Sequence, residues 1–238
     1  MTEYAKISDT VDAGIDEVAV VGLGVQAKGD EPQEDVVRAI RYLLYRHELT
    51  SGTAGLPQMI AVVSASKGEG VTTVSQALAH VLAANRGTRV CWINVGSSEP
   101  LPSTFDRQPA ALPGIRTTLR EVPSHSELGK PDPPGILAVP RGEVRHLSGS
   151  ATLDGLLDGL AAEYRHVIFD TPPLLSRIDS IGFLRHAEAY ILVSKQGSTT
   201  TKQIRTVSEE LLPIPSLGAI LNGYRTRTPG FVQRFFRD

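Results

Sequence analysis

Six short runs in this chain are almost wholly apolar, and they alternate with segments that repeat apolar residues at helical spacing. The runs are MIAVVS (59–64), RVCWINV (89–95), GILAVP (135–140), HVIFD (166–170), AYILVS (189–194) and LGAILN (217–222). A strand with one face in water alternates apolar with polar residues, whereas one that is apolar throughout is covered on both faces. Between the runs, Val74, Leu78, Val81 and Leu82 form one helical stripe that stops at Gly87, and Leu153, Leu156, Leu157 and Leu160 form another. The predicted fold class is therefore α/β, a mostly parallel sheet covered by helices on both faces.

Composition bounds the function. The chain has 238 residues, 41% of them hydrophobic, enough for a substantial core. A net charge of −2 gives no overall positive field, so nucleic acid is not an expected partner. The single cysteine, Cys91, cannot close an internal disulfide, which favours a reducing compartment. The opening MTEYAKISDTVDAGIDE is acidic where a secretory leader would be basic and then apolar. No apolar run is long enough to cross a bilayer. The expected location is the cytoplasm.

Along the chain, residues 1–31 read as a flexible, polar N-terminal arm with one apolar patch, VAVVGLG. Residues 32–48 read as a helix with Val36, Val37, Ile40, Leu43 and Leu44 at helical spacing. The main domain is expected over 32–222. Within it, residues 97–134 are proline-rich and read as loops around a short helix near Ile115–Glu121. Residues 223–238 form a basic tail in which Phe231, Val232, Phe235 and Phe236 fall at amphipathic spacing among four arginines. Two readings of the tail stand open: packing onto the body, or docking to an anionic membrane face or a partner. VAVVGLGVQA also has the outline of a dinucleotide fingerprint, with Gly22, Gly24 and Ala27. However, KGDEP breaks the following helix, and no acid-ended second strand follows.

The stretch SASKGEGVTT (64–73) lies between an apolar run and a helix. That is where a phosphate loop belongs, because backbone N–H groups converge there and the helix dipole favours an anion. Gly68 and Gly70 permit close approach of the backbone. Thr72 stands where a magnesium-binding hydroxyl is needed. The lysine that should follow Gly70 is replaced by Val71, and Lys67 within the loop is the only nearby cation. A glycine turn that binds nothing is the competing reading. Against it, VIFDTPP ends a later strand with Asp170, a carboxylate placed to hold magnesium.

SASKGEGVTT, YRHVIFDTPPLLSRIDS, AYILVSKQGSTTTKQI and LGAILN together resemble the bacterial tyrosine kinases of polysaccharide export. These kinases are part of the deviant P-loop group that includes the partitioning ATPases. The resemblance implies a P-loop NTPase-like fold. It also implies a nucleotide site for ATP and magnesium built from Ser66, Lys67, Gly68, Glu69, Gly70, Val71, Thr72 and Thr73. Thr72 and Asp170 would hold the metal, Asp170 and more weakly Lys67 would serve catalysis, and Asn222 would read adenine. Asp179 matches a further family carboxylate. The family's second acidic motif falls on Asn94 and Gly96, so its carboxylates are missing. The usual C-terminal tyrosine cluster is reduced to Tyr224. Asp35, Arg38 and Arg41 match the spacing of a family helix that joins subunits into a ring, although a solvated i,i+3 pair is the plainer reading.

Phosphoryl transfer rests on positioning and charge neutralisation, and both lost groups serve those ends. The expected function is a cytoplasmic, kinase-like regulatory subunit of an exopolysaccharide or capsule system. It would be a homo-oligomer at the inner face of the membrane, docked to a transmembrane chain-length protein, with impaired or absent transfer. The alternative is an active tyrosine autokinase that uses Lys67. A partitioning-type ATPase is a third reading, disfavoured by Asn94 and by the DTPP ending.

Overall fold

A computed structural model describes residues 18–22, 34–51, 55–84, 88–97, 118–120, 135–176 and 180–224. Eight strands form one sheet: β1 (Val18–Gly22), β2 (Met59–Ser64), β3 (Val90–Ser97), β4 (Thr118–Arg120), β5 (Gly135–Pro140), β6 (His166–Asp170), β7 (Ala189–Lys195) and β8 (Ser216–Tyr224). Their order across the sheet is β1-β8-β7-β2-β6-β3-β5-β4. Every pairing is parallel except β4 against β5. The helices are α1 (Glu34–Ser51), α2 (Val71–Ala83), α3 (Arg141–Leu147), α4 (Ala151–Glu163), α5 (Ile181–Leu184) and α6 (Thr201–Glu210).

The apolar strands are explained by two cores, one on each face of the sheet. Alternate residues of a strand point to opposite faces. In β2, Ile60 and Val62 join Trp92, Ile168 and Ile191 beneath α1 and α2. Ala61 and Val63 join Ile93, Leu137, Phe169 and Leu192 beneath α3, α4 and α6. Each large apolar side chain removed from water stabilises the fold by roughly 1.5–3 kcal/mol. A strand with a polar face could not occupy the centre of this sheet.

Local signals set the helix starts. Ser150 caps α4, its hydroxyl accepting from the Leu153 amide at 3.2 Å. Thr200 and Gln203 form a reciprocal capping box at the start of α6. Gly70, in the left-handed region at φ 103°, precedes α2.

Three expectations are corrected. Val18–Gly22 is a strand of the main sheet, not part of an arm, because it pairs in parallel with β8 from Val18 beside Ala219. No short helix stands at 115–121 among the described residues. Thr118–Arg120 is extended there and pairs antiparallel with β5, where sheet hydrogen bonds outweigh the local pattern. The strand β8 also runs through Gly223 and Tyr224, two residues into the predicted tail. The rest of the tail, Asp179 and the Gly24–Ala27 part of the fingerprint lie outside the described residues. No described helix is long and apolar enough to cross a membrane.

Candidate functional site

The C-terminal ends of β2, β6 and β3 lie side by side at one edge of the sheet. From β2 the chain turns through Ala65–Gly70 into α2. Gly68 (φ 82°) and Gly70 (φ 103°) both adopt the left-handed backbone that glycine tolerates. The first amides of α2 have no acceptor one turn back, so Val71, Thr72 and Thr73 direct N–H groups and the positive end of the helix dipole outward. A side chain at Gly70 would collide with the amide nitrogen of Asn222, so Asn222 would have to shift to admit one.

Glu69 is folded inside this loop and is almost fully buried, at 1% exposure. One carboxylate oxygen accepts from the Ala65 and Ser66 amides at 3.0 and 3.1 Å. The other accepts from the Thr199 hydroxyl at 2.5 Å. Burial raises the Glu69 pKa, opposed by the bonds from Thr199, Ser66 and Ala65 and by the Lys195 charge. The Gln203 amide nitrogen donates to the Ser66 hydroxyl at 3.0 Å. The Asn222 amide nitrogen donates to the Glu69 carbonyl at 2.9 Å.

Asp170 ends β6 between Val62 of β2 and Asn94 of β3. It is buried, and its Oδ2 atom has no hydrogen-bond partner. Burial pushes its pKa up to about 7, against a lowering hydrogen bond from the Thr72 side chain. An orphaned buried carboxylate oxygen beside a hydroxyl suits a hard cation, since magnesium is held through one or two carboxylates together with water and phosphate. Thr72 and Asp170 are the residues that could hold it. The next residue, Thr171, closes the strand by donating its hydroxyl to the Val62 carbonyl at 2.8 Å.

A cavity of about 400 Å³ opens between the loop and the strand ends. Ser66, Lys67, Gly68, Glu69, Gly70, Val71, Thr72, Thr73, Asn94, Gly96 and Asp170 all line it, as do Pro172 and Pro173. Residues distant in sequence are thereby brought together around one cavity. Val71 contributes little to the cavity's chemistry, because it is 8% exposed and packs into the core beneath α1 and α2. Lys67 is exposed at the rim. Asn222 is not among the lining residues, and its amide is spent on the loop backbone. Asp35, Arg38 and Arg41 lie on α1 and also do not line the cavity. Arg38 pairs with Glu34 at 3.3 Å, both exposed, a contact of small worth.

Sequence reasoning missed Thr199 and Gln203 as partners of the loop. The motif STTTKQI contained them, and the Thr-x-x-Gln capping spacing was the available signal. It also missed Trp92, whose indole donates to the Ser75 hydroxyl at 2.9 Å, which in turn donates to the Thr72 carbonyl at 3.0 Å.

No family model matches the chain. The tyrosine-protein kinase CpsD of Streptococcus agalactiae serotype III (strain NEM316) is 24% identical over 175 residues, covering 69% of this chain and 74% of its own. The tyrosine-protein kinase YwqD of Bacillus subtilis (strain 168) is 29% identical over 171 residues, covering 69% and 71%. The kinase domain of the Escherichia coli tyrosine kinase ETK superposes with a TM-score of 0.64 at 19% identity, over 94% of this chain and 97% of that domain. The chain is similar in sequence to these bacterial tyrosine-protein kinases and has the fold of the ETK kinase domain.

Proposed function

We propose that the chain is a kinase-like, nucleotide-binding subunit of an exopolysaccharide or capsule assembly system, in which transfer of the terminal phosphoryl group is impaired or absent. The observation that carries this reading is the composition of the cavity wall. Loop amides, Thr72 and the orphaned Asp170 oxygen are the groups that would receive a phosphate and magnesium. The positions that should add a cation and a pair of carboxylates hold a core-packed valine, an asparagine and a glycine. Loss of one well-placed electrostatic group costs about 10²–10³ in rate, and here more than one is missing. Binding depends on the groups that remain. In such a system the chain would work at the inner membrane face beside a transmembrane chain-length protein, assembled with copies of itself through Asp35, Arg38 and Arg41 on α1.

Calorimetry with magnesium and ATP, run beside a phosphotyrosine blot of the purified chain, tests the reading. Uptake of nucleotide without phosphotyrosine supports it. No uptake, or phosphotyrosine made by the chain alone, overturns it. An active autokinase is the second reading, and it is favoured by the exposed Lys67 at the cavity rim. It requires ATP turnover that falls on Lys67→Ala.

A further inference from the structure

We infer that Glu69 is a positioning residue that fastens the loop after β2 to the start of α6, so that the loop and the helix terminus behave as one unit. Both oxygens of the Glu69 carboxylate are engaged to this end. One oxygen holds the Ala65 and Ser66 amides, and the other takes the Thr199 hydroxyl. The Thr199 oxygen also accepts the Lys195 amide at 2.8 Å, so the end of β7 is drawn into the same knot. A second tie runs in parallel. Gln203 uses its carbonyl oxygen on the Thr200 amide at 2.9 Å and its amide nitrogen on Ser66 at 3.0 Å, so the α6 cap and the loop share one side chain.

A carboxylate pointed into a phosphate cradle would repel the ligand if it were free. Here its charge is satisfied by two loop amides and a hydroxyl, and it is turned away from solvent. The amides of Ala65 and Ser66 are thereby taken, and those at the start of α2 are left for an anion. The loop shape is set by a side chain within it and by α6, with no lysine needed for that purpose. Any ligand that shifts Glu69 must disturb Thr199, and through it the α6 terminus.

The decisive variants are Thr199→Val, which removes the hydroxyl at nearly constant volume, and Thr199→Ser, which restores it. In the ligand-free chain, Thr199→Val should raise amide hydrogen exchange at Ala65 and Ser66 about tenfold, as loss of a hydrogen bond to a charged group implies. Exchange within β6 should stay unchanged, and Thr199→Ser should keep wild-type rates. Ser66→Ala, which cuts the second tie and leaves the α6 cap intact, should raise exchange at the first turn of α6. Unchanged exchange at Ala65 and Ser66 in Thr199→Val, or acceleration spread evenly through the chain, would overturn the inference. The binding arm rests on the nucleotide-site reading above and is separable from it. With magnesium and ADP as the probe, Thr199→Val should bind about tenfold more weakly than wild type. Equal affinity for the two would overturn the positioning role, whereas a wild type that takes up no ADP counts against the nucleotide reading and leaves the exchange arm to decide.

Discussion

Asn94 stands beside Asp170 in the parallel register of β3 and β6, so an amide and a buried carboxylic acid share one wall of the cavity. Two carboxylates at that spacing would repel each other and hold a divalent cation between them. A carboxylic acid and an amide can be neutral together, so this pair carries no such repulsion. Asn94→Asp should therefore tighten magnesium binding roughly tenfold, in line with the effect of groups that support a metal ligand. It should also lower the melting temperature measured without magnesium. Titration with magnesium chloride checks the first outcome, and thermal melts with and without the metal check the second.

The titration of Asp170 makes stability depend on pH. Its folded pKa of about 7 lies above the ordinary 3.8. Between those values the folded chain keeps a proton that the unfolded chain has released. Raising pH therefore draws the equilibrium toward unfolding, and the contribution present at low pH is lost by the time pH passes about 7. Melting temperature should fall between about pH 4 and pH 7, with a smaller fall in Asp170→Asn. Some slope should survive in that variant, because burial raises the Glu69 pKa in the same direction. Magnesium binds the ionised form, so its stabilising effect should grow with pH over the same interval.

At position 71 the requirements of packing and charge are opposed. Val71 belongs to the core beneath α1 and α2 and presents no cation to the cavity. A lysine following the last loop glycine reaches the β- and γ-phosphates. Without it, the terminal phosphate of ATP gains little over ADP. Wild-type affinities for the two nucleotides should be similar. Val71→Lys should favour ATP about tenfold, the worth of one charge-assisted hydrogen bond, and should melt at a lower temperature through lost packing. Paired calorimetric titrations give the ratio directly.

Much of this architecture was legible because burial on both faces leaves a local signature. Each of the six apolar runs is a strand, and MIAVVS, GILAVP and HVIFD are strands from their first residue to their last. Asp170 and the glycine loop were legible as motifs. What failed shares one cause, since a local pattern shows the shape of a segment but not its partner. Val18–Gly22 pairs with residues about two hundred positions away, and nothing within five residues reveals that. Thr118–Arg120 is extended only because β5 lies beside it. Glu69 and Thr199 are 130 positions apart, so the carboxylate read as one more residue of a loop.

Gly70 and Asn222 should prove coupled. At Gly70 two penalties coincide: a left-handed backbone and an added carbon that would strike the Asn222 amide nitrogen. Gly70→Ala should lower unfolding free energy by about 1–3 kcal/mol from backbone strain, with the collision in addition. Asn222→Ala removes the obstructing atoms and the bond to the Glu69 carbonyl, so it should destabilise by about 1 kcal/mol. In the double variant the collision is absent, and the backbone strain and the lost bond to Glu69 remain. The combined loss should therefore be smaller than the sum of the single losses by about 1 kcal/mol, the size of coupling seen between touching residues. Urea denaturation of the four proteins measures this directly, and strict additivity would mean that the loop already bends away from Asn222 when a side chain is added.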